Sequence, residues 1–277
     1  MIICRIRRFG RIAVAVERVR RALSKTGLPD ADYALNPYVG CSHGCLYCYA
    51  RLYVNDKRVR ENWGQAVVAK INVFKVLEKE IKKISKSSIC VSTITDPYQP
   101  IESVFKLTRR SLEILLSRGF RVSVQTKNPM VLRDLDLIEA HRKLVDVGFT
   151  ITTVDRKVAS FIEPHAPPPK ARINALEELA KRGVTTWVFY GPIIPEINDD
   201  LATVEAVTEI AVRTRSILYF DPLRVKPFMF EEHHPLREYA LKARNKAWLE
   251  NVINTMRKVC AEKKIECRTG FSAEPLD

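Results

Sequence analysis

No apolar run in this 277-residue chain approaches the roughly eighteen or more residues of a membrane-spanning helix, so no span is expected. The basic start is not followed by an apolar block and a small-residue cleavage site, so a secretory leader is not expected either. Internal repeats and low-complexity linkers are missing too, which makes one domain over 1–277 the simplest organisation. Acid is scarce at the start: Glu17 is the only acidic residue among the first 25, against Arg5, Arg7, Arg8, Arg11, Arg18, Arg20, Arg21 and Lys25. A fourth cysteine is missing where three stand together, Cys41, Cys45 and Cys48 in NPYVGCSHGCLYC at 36–48.

Those three cysteines define the chemistry to be expected. Iron–sulfur clusters usually take four cysteines, and three thiolates at C-x3-C-x2-C spacing leave one iron without a protein ligand. The same open position separates catalytic from structural zinc sites. Such an iron can take the amino and carboxylate groups of S-adenosylmethionine, a cofactor pair for radical chemistry. Gly40 and Gly44 suit a loop that needs unusual dihedrals and close backbone approach. A disulfide framework would leave one of the three unpaired, and the chain total of seven cysteines is odd. A zinc site needs a fourth ligand, and His43 lies cramped against Cys41. Cys4, Cys260 and Cys267 read as buried or incidental thiols. Unpaired cysteines and a cluster point to a reducing, cytoplasmic setting.

The charge balance is the second signal. Lys and Arg number 46 against 32 Asp and Glu, a formal +14. Excess positive charge attracts polyanions through counterion release, which makes DNA or RNA the leading partner class; the bland alternative is a basic, solvated surface.

From residue 33 the pattern alternates. Strand-like runs at 33–38, 89–94, 120–125, 147–154, 184–190 and 217–220 are separated by helical periodicity. The helices are marked by Phe74, Leu77, Ile81 and Ile84; by Val104, Leu107, Leu112, Leu115 and Leu116 within 104–118; by 133–143; by Ile173, Leu176 and Leu179; and by 200–213. Strands that each lead into a helix imply a parallel sheet, and six are fewer than the eight of a closed barrel. The expected fold class is α/β, a partial (βα)6 TIM-type barrel of about 33–225. A basic segment, 1–30, precedes it, and a C-terminal helical extension, 235–277, follows. That extension centres on one polar helix at 235–262 carrying Leu241, Trp248, Val252 and Val259, expected to pack on the barrel flank. The site should gather at the C-terminal strand ends.

The runs NPYVGCSHGCLYCYAR (36–51), TDPYQPIE (95–102) and EPHAPPPKAR (163–172) together resemble the radical S-adenosylmethionine proteins related to spore photoproduct lyase. The resemblance covers about 33–225 and implies a partial (βα)6 barrel, a [4Fe-4S] cluster on Cys41, Cys45 and Cys48, and S-adenosylmethionine as cofactor. It implies that Tyr47 packs on the adenine, that Thr95 and Asp96 approach the methionyl amino group and ribose, and that Lys127 meets the cofactor carboxylate. Thr152, with Asp155 beside it, falls where the family places a polar group near the ribose. Arg172 is a partner for Glu163 or for the cofactor carboxylate, and Ile193 offers apolar surface to the adenine. Arg224 and Lys226 are candidates for a substrate phosphate or carboxylate. The resemblance also implies an electron donor of flavodoxin or ferredoxin type, and a deoxyadenosyl radical abstracting hydrogen from a substrate in DNA repair or RNA modification. The rival expectations are a radical enzyme on a small metabolite or peptide, and a non-enzymatic iron–sulfur or zinc protein that binds nucleic acid. One departure stands out: Thr93 occupies the position of the lyases' hydrogen-donor cysteine, with Cys90 three residues further back. Tyr98, Tyr190 and Tyr219 are alternative relays.

Overall fold

Runs of β-branched and aromatic residues have little to gain from a helix and much from a pleated, covered surface. The computed structural model describes the backbone of residues 4–270 and the side chains of residues 8–270, so the side chains of Cys4, Arg5 and Arg7, and residues 271–277, lie outside the described residues. In chain order the strands are β1 (Cys4–Phe9), β2 (Ile12–Glu17), β3 (Leu23–Lys25), β4 (Tyr33–Leu35), β5 (Tyr38–Val39), β6 (Ala66–Lys70), β7 (Ser88–Val91), β8 (Arg121–Thr126), β9 (Val145–Thr150), β10 (Thr185–Ile193), β11 (Ile217–Pro222) and β12 (Cys267–Thr269).

β4, β7, β8, β9, β10 and β11 lie side by side in sequence order, each parallel to the next. Parallel neighbours need a crossover, and helices supply them, including Leu107–Ser117, Pro169–Lys181 and Leu201–Thr214. The sheet does not close: β12 and β3 stand at opposite ends of its order. This is the expected partial barrel. Along each strand the outward residues, such as Val91, Val124, Val147, Val188 and Leu218, are buried in the main apolar core. The inward ones are polar or aromatic, and Cys90, Ser123, Gln125, Asp146, Trp187 and Tyr219 line a central cavity.

Four expectations need correction. The run at 33–38 is not one strand: proline lacks the donor that a ladder needs, and at Asn36 and Pro37 the chain leaves the barrel. β4 stays in the large sheet, whereas β5 joins a second sheet of order β1-β2-β6-β5. Two strands of that second sheet, β1 and β2, come from the basic segment. β1 and β2 pair antiparallel, and β2 runs parallel to β6 with Ile12 and Val14 buried. The helix expected over 104–118 is two, Glu102–Phe105 and Leu107–Ser117, broken at Lys106 with φ +51°. Val104 is exposed, and the buried Glu102 carboxylate accepts the Thr108 and Arg109 backbone N–H groups at 3.0 and 3.2 Å. It thus satisfies donors that every helix start leaves open.

The C-terminal extension also differs. Its single helix is divided into Arg237–Lys242 and Lys246–Glu262, because Asn245 caps the second by accepting from Ala247 N at 2.9 Å. Leu241 is half exposed, while Val252, Met256 and Val259 are buried. The second helix packs against Leu201–Thr214 on the barrel flank. The chain then returns as β12, parallel to β11, and Cys260 and Cys267 form a disulfide rather than remaining free thiols. A spacing of seven residues carries no ligand pattern; it is the turn from helix end to edge strand that brings the two sulfurs together. Among the described residues no helix is long and apolar enough to cross a membrane.

Candidate active site

Directly after β5, Gly40 (φ +81°) and Gly44 (φ +63°) bend the three-cysteine segment into a tight loop. A Cβ on Gly40 would lie 2.4 Å from Val59 and 2.8 Å from the Ala66 carbonyl, so both the dihedral and the packing demand glycine there. The loop is pinned from two sides. Thr95 Oγ1 donates to the Gly40 carbonyl at 2.5 Å, and Gln99 receives Ser42 N at 3.0 Å. On the other side Leu46 N reaches Ile162 O at 2.9 Å, and His165 N reaches His43 O at 3.1 Å.

Asp96 holds the loop to the barrel. Its Oδ1 accepts Tyr98 N and Thr126 Oγ1, both at 2.8 Å, and its Oδ2 accepts Lys127 N at 2.8 Å with His43 Nδ1 3.4 Å away. A carboxylate offers about four lone-pair sites, and these neighbours use nearly all of them. Thr95 and Asp96 lie just beyond β7 rather than within it. Burial pulls the His43 imidazole down to about 4, so it is neutral near pH 7.

Behind the loop lies a buried ionic group. Glu163 is fully buried and accepts the Tyr47 hydroxyl; Lys127 Nζ lies 3.8 Å from it and Arg172 Nη2 2.5 Å. The last contact is an ion pair off the hydrogen-bonding direction of Glu163 Oε2. Arg172, itself buried, also donates to the carbonyls of Pro167 (2.7 Å) and Thr150 (3.1 Å). Of the two partners considered for Arg172, the structure supplies Glu163. Burial alone would raise the Glu163 pKa, yet Arg172 and Lys127 hold it below the ordinary range. Burial alone would lower Lys127, yet the Cys45 sulfur and Glu163 raise it on balance. Lys127 Nζ also stands 5.6 Å from the Tyr47 ring centre, within cation–π range.

The other expected residues fall as follows. Thr152 is buried beyond the end of β9, its Oγ1 without a partner among the described residues. Asp155 caps helix Arg156–Ile162 by accepting Lys157 N and Val158 N at 2.6 and 3.0 Å, a structural use of its carboxylate. Ile193 is buried at the end of β10. Arg224 donates Nε to Asp221 at 3.1 Å, where burial lifts the Asp221 pKa to about 6, and Arg224 and Lys226 both line the cavity. Sequence reasoning missed Tyr49 and Tyr53, which stand edge to face at 5.9 Å on the cavity rim, Tyr49 donating to Thr93 O at 2.7 Å. Their signal was the aromatic repeat immediately after Cys48.

Cys41, Cys45, Cys48, Asp96 and Lys127 share one cavity of about 1610 Å³, which runs from the cysteine loop down the barrel. The three thiols are free, and their burial pushes Cys45 up to about 12 and Cys41 further, with the neighbouring sulfurs adding to Cys41. Thiols in this state need a bound cation's charge to become thiolates. Among the described residues no three His, Cys, Asp or Glu side chains converge on a single-ion site; the three thiols line the one cavity, and a polynuclear cluster takes one thiolate per iron rather than a common point. His43 Nε2 and Ser92 Oγ, on residues lining the cavity, are buried without partners among the described residues. The thiol set, the glycine bends and the unpartnered polar atoms fit a [4Fe-4S] cluster with a polar cofactor beside it.

The Radical SAM superfamily model matches residues 35–207. The chain belongs to the radical S-adenosylmethionine superfamily. An uncharacterized protein of Methanocaldococcus jannaschii is 32% identical over 255 residues, covering 90% of this chain and 95% of that one. The radical SAM Nα-GlyT isomerase of Pseudomonas phage M6 is 24% identical over 174 residues, 60% of this chain and 34% of that one. Spore photoproduct lyase, solved with bound AdoMet and a dinucleoside spore photoproduct, superimposes with a TM-score of 0.66 at 16% identity, covering 92% of this chain and 80% of that one. At that identity the likeness is one of fold. This radical SAM protein accordingly uses a [4Fe-4S] cluster and S-adenosylmethionine, as its superfamily does.

Proposed function

We propose that this radical SAM protein is an enzyme of the cytosol that abstracts hydrogen from a nucleic-acid substrate, in DNA repair or RNA modification. The observation that carries the reading is the single cavity joining the three thiols to an open mouth edged by Tyr49, Tyr53, Arg224 and Lys226. Aromatic faces among cations are what an unpaired strand needs, for stacking and for its phosphates. The +14 charge supports it. Two similar proteins support it too: one is a spore photoproduct lyase with a dinucleoside spore photoproduct bound, and the other is named a radical SAM Nα-GlyT isomerase.

When bound, the cluster and S-adenosylmethionine supply a 5′-deoxyadenosyl radical on one-electron reduction, for which a flavodoxin- or ferredoxin-type partner is the expected donor. Cys41, Cys45 and Cys48 hold the cluster. Tyr47, fixed by Glu163, presents its ring to the adenine, and Lys127 takes the cofactor carboxylate. Asp96 sets the positions of His43 and Lys127, with Thr95 bracing the loop at Gly40. Thr152 offers a buried hydroxyl without a partner among the described residues, and Arg172 keeps Glu163 charged.

Thr93 separates this reaction from lyase repair. Its Oγ1 accepts from Asn36 Nδ2 at 3.3 Å, and its hydroxyl O–H is a far poorer hydrogen-atom donor than a thiol. The Cys260–Cys267 disulfide is buried, and a disulfide out of reach of cellular thiols is compatible with this reading.

Binding of a fluorescent single-stranded oligonucleotide by the reconstituted protein tests the substrate class. The affinity should fall at least about tenfold between 50 and 200 mM salt, since each phosphate contact contributes a slope of roughly −0.7 in log–log form. Salt-independent binding, or none, removes nucleic acid from the reading.

A further inference from the structure

The cavity continues well below the strand ends. Asp146 sits four residues before the end of β9, roughly 13 Å down the strand at about 3.3 Å per residue. It opposes Ser123 of β8 and Thr185 of β10. Its Oδ1 accepts both Ser123 Oγ (2.6 Å) and Trp187 Nε1 (2.7 Å). Its Oδ2 accepts from no described residue, and Asp146 lines the cavity. Burial raises the Asp146 pKa in spite of these two donors; Arg121 opposes the rise and Asp30 adds to it.

Around that oxygen the barrel is built to carry rings. The Trp187 indole lies so close over Gly148 that a Cβ there would fall 2.1 Å from it. Phe189 lies likewise against Gly191 and Gly270, where a Cβ would come within 2.5 and 2.7 Å. Tyr219 stands edge-on to Trp187 at 5.5 Å. Higher up, Gln125 donates Nε2 to Thr150 Oγ1 at 3.1 Å, which leaves its carbonyl oxygen as a further acceptor. Glycine within a strand marks a close approach of this kind.

One open acceptor beside an aromatic wall suits a planar group that offers a single N–H. We propose that the barrel floor is a nucleobase pocket: Asp146 Oδ2 accepts an N–H from the base edge, and the joined rings of Trp187, Tyr219 and Phe189 form the wall beside it. The pocket rests on the nucleic-acid reading and narrows it to an unpaired base inserted edge first. Lys25, Lys86 and Arg121 line the same cavity as Asp30, Asp32 and Asp146, so a cationic amine is the competing occupant that the test separates.

The test uses the full chain with Trp63→Phe and Trp248→Phe, so that emission reports Trp187, titrated with the four deoxynucleoside 5′-monophosphates and with lysine amide as a cationic probe. At least one nucleotide should change the emission saturably. Asp146→Asn keeps the acceptor for Ser123 and Trp187 but turns the open position into a donor, and should weaken that binding at least tenfold with an unchanged melting temperature. Gly148→Ala, which displaces the indole, should weaken it as well. Equal affinity in Asp146→Asn, or a response to lysine amide alone, overturns the pocket. The oligonucleotide assay then tells the two failures apart: a strand that still binds leaves the substrate class standing, and one that does not removes both.

Discussion

Cys45→Ala is expected to reduce 5′-deoxyadenosine formation at least about a hundredfold, which is close to 3 kcal/mol of barrier. The loop bends at Gly40 and Gly44 and its three thiols line one cavity, where Cys90 is the only other cysteine among the described residues. Cys90 lies on β7, paired with Ser123 of β8, while the loop emerges from the second sheet. Anaerobic reconstitution followed by iron and sulfide analysis separates ligand loss from misfolding. Cys45→Ala should retain the melting temperature of the metal-free protein but lose bound iron, and Cys90→Ala should retain both. Wild-type iron content in Cys45→Ala, with full cofactor cleavage, would falsify the ligand assignment.

The second large effect is on stability. Arg172→Met leaves Glu163 charged, buried and served only by Tyr47 and the more distant Lys127. Breaking a buried pair from one side costs about 3–5 kcal/mol. At roughly 2–4 °C per kcal/mol for a large domain, calorimetry should show a fall in melting temperature of about 6–20 °C. Adding Glu163→Gln should recover part of it, because the orphaned charge is removed. A double variant no more stable than Arg172→Met would show that the guanidinium acts through the Pro167 and Thr150 carbonyls instead.

Much of the barrel was legible because four of its six strands, β7 to β10, carry buried β-branched residues, among them Val91, Val124, Val147 and Val188, and helical periodicity separates them. The N-terminal hairpin was hidden by charge: the arginines of the first 25 residues drew attention to a partner, while Ile12, Val14 and Val16 already alternated as a strand does. The break at Lys106 was not legible, since apolar spacing continues through it and only the buried Glu102 cap explains the stop. Within the site the residue types were readable and their commitments were not. Thr95, Asp96 and Arg172 stand out in sequence as ligand contacts, yet each spends hydrogen bonds on holding the loop or its ionic support. Such double use appears only when the partners, Gly40, His43 and Glu163, are seen in space. Asp146 and Gly148 were passed over because a strand with one acid and one glycine looks like a weak strand rather than a pocket floor.

An incomplete barrel has a cost that a closed one avoids, because its two edges present unpaired backbone groups to any passing strand. Both edges here are blunted. β3 and β12 are three residues each, β3 carries the exposed Lys25, and β12 is fastened to the preceding helix through Cys260 and Cys267. Short, tethered edges offer too little ladder for a second molecule to extend. The gap in the barrel is thereby kept from becoming a seam for aggregation.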